Sequence, residues 1–218
     1  MKNLIRIFIV ILIVHGKLSS QPIPFEVFTG NKKYSFDVMA MKHTYIQSDS
    51  IADILFFSRA RAVSDYQEGE EKILPQFALT QAFGYKVQKF KGFTPVFVVQ
   101  LFNRGTFFKP GISYLKATKK FTFFSWTVIE LKENPYIDFF VLTRYTPKLT
   151  DRLNGFIQIE LLNNFPTQKN NAIQLTQRAR LGLKTGRSQF GFAADFSEVI
   201  NKNTKPMDNL GLFIRHEF

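Results

Sequence analysis

Residues 172–184 read AIQLTQRARLGLK, and their side chains alternate in character. Ile173, Leu175, Ala179, Leu181 and Leu183 fall on one side with Gln177. Gln174, Thr176, Arg178, Arg180, Gly182 and Lys184 fall on the other. A period of two is that of a β-strand with two unlike faces. The apolar face must be taken out of water, and the opposite face holds long cations in mid-strand. Two architectures meet these demands. In a soluble barrel or sandwich the apolar faces turn inward. In a membrane barrel they turn outward, toward lipid.

The pattern recurs along the chain, and no sustained 3.6-residue period is found beyond residue 24. Phe190, Phe192, Ala194 and Phe196 oppose Gly191, Ala193, Asp195 and Ser197, while Ile157, Ile159 and Leu161 oppose Phe156, Gln158 and Glu160. Read this way, the sequence predicts about twelve strands, near 24–29, 34–45, 52–63, 74–86, 92–102, 111–117, 120–131, 136–145, 153–162, 173–184, 189–198 and 209–218. The two shortest are PFEVFT and GISYLKA, and without them ten strands would remain. Most approach the length of about 9–11 residues with which a tilted strand crosses a bilayer. The 26 Phe residues suit strands whose apolar sides form a wall.

Short and long connections broadly alternate. TKK (118–120), TPKLTDR (146–152) and KTGRS (184–188) are tight, whereas 63–73, 103–111, 163–172 and 198–209 are longer and polar. KENP (132–135) is short where a long one is expected. Transmembrane β-barrels have short periplasmic turns and longer external loops, so both termini are expected in the periplasm. The strands ending at that rim finish on Tyr45, Tyr85, Tyr145 and Phe218. Aromatic girdles belong there, although the parity around Tyr45 is mixed.

The amino-terminal residues form an export segment. Lys2 and Arg6 precede the apolar run Ile7 to Val14, and the small Ser19 and Ser20 follow. The run is too short to span a bilayer, which takes about 20 residues. Residues 1–20 are therefore expected to be cleaved, leaving 21–218 as a single barrel domain. The formal charge is +12; Lys2, Arg6 and Lys17 leave with the segment, so the exported chain carries +9. There is no Cys, which excludes disulfides, thiolate metal sites and a lipid-bearing amino-terminal cysteine.

The chain closes on LGLFIRHEF, residues 210–218. This stretch resembles the carboxy-terminal strand of bacterial outer-membrane β-barrel proteins. Leu210, Leu212, Ile214 and Phe218 match the pattern, and His216 stands where an aromatic is more usual. The resemblance implies an all-β fold, a closed antiparallel up-and-down transmembrane β-barrel in the outer membrane. It also implies outer-membrane lipids as surroundings and the barrel-assembly machinery as a partner that reads the strand during biogenesis.

Little in the sequence suggests catalysis. His43 and His216 could be neighbours if the first and last strands pair, but neither is flanked by Ser in a known motif, and both read as interfacial polar residues rather than parts of a lipid hydrolase. No metal-ligand spacing or phosphate loop is present, so neither metal nor cofactor is expected. The basic residues alternate with lipid-facing ones instead of forming a patch, which speaks against nucleic acid. They should line the lumen instead. Arg59, Arg61, Arg178, Arg180, Lys184 and Arg215 form a basic wall, with Asp53, Glu160, Asp195 and Glu217 as partial partners. Facing it stand Val96, Val98, Phe102, Phe124, Trp126, Val128, Phe140 and Leu142. Such walls suit a small anionic or amphipathic solute in a narrow porin-like channel, with Arg59, Arg61, Arg178, Arg180, Arg215 and Trp126 in contact with it. Barrels of about eight strands fill with side chains and those of 16–18 leave a channel. A filled, non-conducting structural barrel is thus the alternative, and a soluble periplasmic binding barrel a further one.

Overall fold

The computed structural model describes residues 22–46, 52–66, 76–86, 90–168, 171–200 and 206–218. The expected export segment lies outside them. Twelve strands follow in chain order: β1 (Pro24–Gly30), β2 (Lys33–Ile46), β3 (Ala52–Asp65), β4 (Gln76–Lys86), β5 (Phe93–Phe102), β6 (Gly105–Ala117), β7 (Phe121–Ile129), β8 (Tyr136–Tyr145), β9 (Asn154–Pro166), β10 (Ile173–Thr185), β11 (Ser188–Ile200) and β12 (Met207–Glu217). Each pairs antiparallel with its sequence neighbours, and β1 pairs with β12 from Pro24↔Glu217 to Gly30↔Gly211, so the sheet closes. Closure leaves no strand edge, which is what allows a sheet to cross hydrocarbon.

The faces point as the alternation predicts. On β12, Leu212 is 60% exposed and its neighbour Phe213 only 3%. Phe83 and Tyr85 on β4, Phe139 and Tyr145 on β8, and Leu181 on β10 are likewise exposed on the outside. This is the arrangement of a transmembrane barrel, not that of a soluble one. In lipid the outer belt is removed from water, which stabilises the fold by about 25 cal/mol per Å². Of the expected rim aromatics, Tyr85, Tyr145 and Phe218 project outward; the side chain of Tyr45 lies outside the described residues. Phe218 extends the β12 ladder by one pair. Its N–H donates to the Ile23 carbonyl at 3.1 Å, and Ile23 N–H donates back at 3.2 Å.

One connection differs from expectation. NRGTFFKPG was expected as a long loop, but β6 already begins at Gly105, leaving a two-residue turn at Asn103–Arg104. Two Gly and a Pro suggest a loop, yet Phe107 and Lys109 turn inward while Phe108 turns out. Pro110 is tolerated because β6 pairs with β7 only from Gly111↔Val128 downward, so no ladder bond is asked of it on that side. Similarly β9 runs on through Asn163 and Asn164 to Pro166.

Candidate functional site

Every lumen residue named from the sequence whose side chain is described points inward. The basic wall, however, is better matched than those carboxylates alone imply. Arg59 on β3 is held by Asp37 and donates to Glu160 at 2.8 Å. Arg61 reaches Asp195 at 2.6 Å and Asp37 at 3.4 Å. Arg180 bridges Glu26 at 2.9 Å and Asp195 at 2.7 Å, and Arg215 donates through Nε to Glu26 at 3.0 Å. Arg178 makes only long contacts, 3.4 Å to Glu160 and 3.6 Å to Asp195. Lys184 pairs with Glu217 at 2.7 Å near the rim. The side chain of Asp53 lies outside the described residues.

Glu26 and Asp37 are the carboxylates of this network that sequence reasoning missed. The signal was present: in PFEVFT and KYSFDVMA each sits between apolar outward neighbours, at inward positions. Arg144 on β8 was missed as well. It donates to Gln158 at 2.8 Å and lies 5.9 Å from the Phe156 ring, with no carboxylate partner among the described residues. Leaving aside the Lys184–Glu217 pair, this network sets six arginines (59, 61, 144, 178, 180, 215) against four carboxylates (26, 37, 160, 195). A cationic excess of two therefore survives in this network, the same as the sequence suggested but with different partners.

Opposite lies a packed apolar wall. Trp126 contacts Phe140 at 4.8 Å and Phe57 at 5.1 Å between ring centroids, and Phe57 stacks on Phe124 at 5.4 Å. Val96, Val98, Val128 and Leu142 are buried around them, and Phe102 is half-buried. Phe57 belongs to β3, two residues from Arg59, so that strand carries the seam between the two walls.

Between the walls lies a cavity of about 60 Å³ lined by Arg59, Arg61, Arg178, Gln100, Trp126 and Phe140, among others. By volume it holds roughly two waters, at about 30 Å³ each. Four buried polar atoms of its lining residues make no hydrogen bond: Arg61 Nε, Arg178 Nε, Trp126 Nε1 and Gln100 Oε1, although Arg178 Nε lies 3.6 Å from Asp195. Buried polar groups in proteins are ordinarily satisfied. Cationic and apolar side chains thus meet at one small cavity, beside donors that the fold leaves without hydrogen bonds. Toward the termini, a smaller void of about 10 Å³ lies between Glu26, Asp37, Met39, Arg59, Glu160 and Arg215.

His216 faces outward, as expected, and the register Ser188↔His216 sets Ser188 Oγ 3.0 Å from His216 Nδ1. The His216 ring also meets Phe218 at 4.8 Å. Among the described residues no carboxylate or amide orients its other nitrogen, so the pair lacks the third member that nucleophilic catalysis uses.

No protein-family model matches the sequence, and no curated protein matches it. Among solved structures, the NanC porin aligns over 91% of this chain and 100% of its own, with a TM-score of 0.50 and 10% identity. The KdgM porin covers 91% and 99% with a TM-score of 0.49 and 9% identity. An outer membrane channel from Pseudomonas putida F1 covers 90% and 93% with a TM-score of 0.44 and 12% identity. At such identities the likeness is one of fold. The chain has the closed β-barrel architecture of outer-membrane porins.

Proposed function

We propose that this barrel is a narrow outer-membrane channel for small anionic or amphipathic solutes. The cavity between the arginine and aromatic walls is its constriction, and Arg59, Arg61, Arg178 and Trp126 are the contacts. Arg180 and Arg215 shape the field behind it. The observation that carries the reading is the cavity itself, with Arg59, Arg61 and Arg178 on one side and Trp126 and Phe140 on the other. Buried charge is costly without water or a counter-ion beside it, and walls of Arg favour anions in pores. Planar-bilayer recording tests this. Wild type should show small steps with anion-over-cation permeability, and Arg178→Gln should shift the reversal potential toward cations. Arg178 is the variant of choice because its ion pairs are the longest of the network. An unshifted reversal potential would place the solute path elsewhere.

A second reading is a structural barrel that does not conduct, favoured by the packed middle of the lumen. Phe57, Phe124, Val98 and Leu142 are each at most 1% exposed. Silent bilayers from verified folded protein would decide for it.

The same proposal includes export by the segment 1–20, periplasmic termini and recognition of Leu210, Leu212, Ile214 and Phe218 by the assembly machinery. All four side chains are exposed on the outer face of the strand that closes the ring. Phe218→Asp should sharply lower the amount of folded barrel in the membrane. Its effect on unfolding of the purified protein should stay within about 1 kcal/mol, since charges near the interface cost little. Normal accumulation in cells would show that this strand is not the signal.

A further inference from the structure

At the end of the barrel opposite the termini, a second cavity of about 190 Å³ is lined by Arg104, Phe107, Glu130, Lys132, Tyr136, Asn164 and Gln174. Its volume is roughly that of six waters, enough for a single six-membered ring with a carboxylate. The charges around it are unevenly spent. Lys109 is buried between Asp138 and Glu130, the latter at 3.2 Å, and Lys132 closes on Glu130 from the connection between β7 and β8. Burial alone would raise the Glu130 carboxyl, but these two ammonium groups outweigh it and hold it below the ordinary glutamate value. Both acidic groups thus pair with lysines, although Asp138 Oδ1 keeps no hydrogen bond. Arg104 forms no ion pair among the described residues. Its guanidinium rests against apolar rings, 5.1 Å from Phe107 and 5.4 Å from Phe102.

Two further features limit what fits. Phe107 and Tyr136 line the cavity with rings. The Asn164 side-chain N–H donates to Gln174 at 3.3 Å, while the Asn164 amide oxygen has no partner. A guanidinium free to take a carboxylate in a bidentate pair and the rings of Phe107 and Tyr136 stand around one opening, while the Asn164 amide oxygen is closed to it. From this juxtaposition we infer that the vestibule is a binding site for a small ring carboxylate. Arg104 takes the carboxylate, and Phe107 and Tyr136 the ring. As the entry station of the conduction path it rests on the channel reading; as a binding site it stands without it.

The test uses the full chain folded in detergent micelles and 4-hydroxybenzoate as probe, titrated calorimetrically. Arg104 is exposed, so Arg104→Gln should fold normally, and it should weaken binding at least tenfold. 4-Hydroxybenzyl alcohol, which lacks the charge, should bind at least tenfold more weakly than the acid. Benzoate, which keeps the ring and the charge, should bind within a few-fold of the probe. Arg178→Gln, at the other cavity, should bind the probe as wild type does. No binding, binding indifferent to Arg104→Gln, or equal binding of the alcohol overturns the site. Bilayer recording separates the two proposals. Silent bilayers with Arg104-dependent binding remove the channel and keep the site. Conducting bilayers without binding do the reverse.

Discussion

Glu26→Gln should destabilise the folded barrel by about 3–5 kcal/mol, the cost of removing one member of a buried ionic cluster. Glu26 is 3% exposed and accepts from both Arg180 and Arg215. Its strand, β1, has only seven residues, and Arg215 lies on β12, so the lost charge also weakens the seam that closes the ring. Unfolding in urea followed by the heat-modifiable mobility shift would measure the loss. Adding Arg215→Met should recover part of it, because the double variant no longer strands that guanidinium. A Glu26→Gln barrel as stable as wild type would mean that water or a mobile anion, not the carboxylate, neutralises these arginines.

Phe57→Ala combined with Trp126→Ala should raise single-channel conductance several-fold and keep the preference for anions. The two rings meet at 5.1 Å, and both line the cavity beside Arg61 and Arg178. Truncating them removes the apolar half of the constriction and leaves the charged half in place. Each change costs about 3–5 kcal/mol of packing, so folded protein must be verified first, and the single variants give a milder series. A silent wild type with a conducting double variant would show that the wall is a stopper. Unchanged conductance in a folded double variant would put the narrowest point at another level, such as the Glu26–Arg59 void.

The fold was legible because its rule is local. A strand with unlike faces needs no knowledge of its neighbours, and parity alone oriented Arg178, Phe140, Ile214 and the rest correctly. What escaped was whatever depends on the ring as a whole. Asp37 and Arg59 lie on adjacent strands, but Glu160 reaches Arg59 from six strands away. No pattern along the chain announces that pairing, and so the partners of the lumen arginines were misjudged. The turn at Asn103–Arg104 was missed for a related reason. Pro110 looks like a strand breaker until the local end of β7 pairing relieves it. The Ser188–His216 contact likewise exists only through register.

The Arg59–Glu160 bond has a geometric consequence. In a ring of twelve, β3 and β9 stand diametrically opposite. Twelve strands about 4.8 Å apart and tilted by about 40° would make a round tube roughly 24 Å across, wider than one arginine and one glutamate can span at 2.8 Å. The cross-section must therefore be an oval, with its short axis through β3 and β9. A quarter-turn away, where an oval bends most, are β12 and β6. There Gly211 and Gly111 face inward, and a Cβ on either would fall 2.0 or 2.1 Å from a carbonyl oxygen of the adjoining strand; Gly182 and Gly191, paired across β10 and β11 beside the first bend, are as tight at 2.1 and 2.2 Å. Tight bending of the wall calls for such glycines. Strand number thus fixes the perimeter of this barrel but not its area. Calibre is held by a few cross-ties and two creased corners, so it can be altered residue by residue while the same twelve strands remain in place.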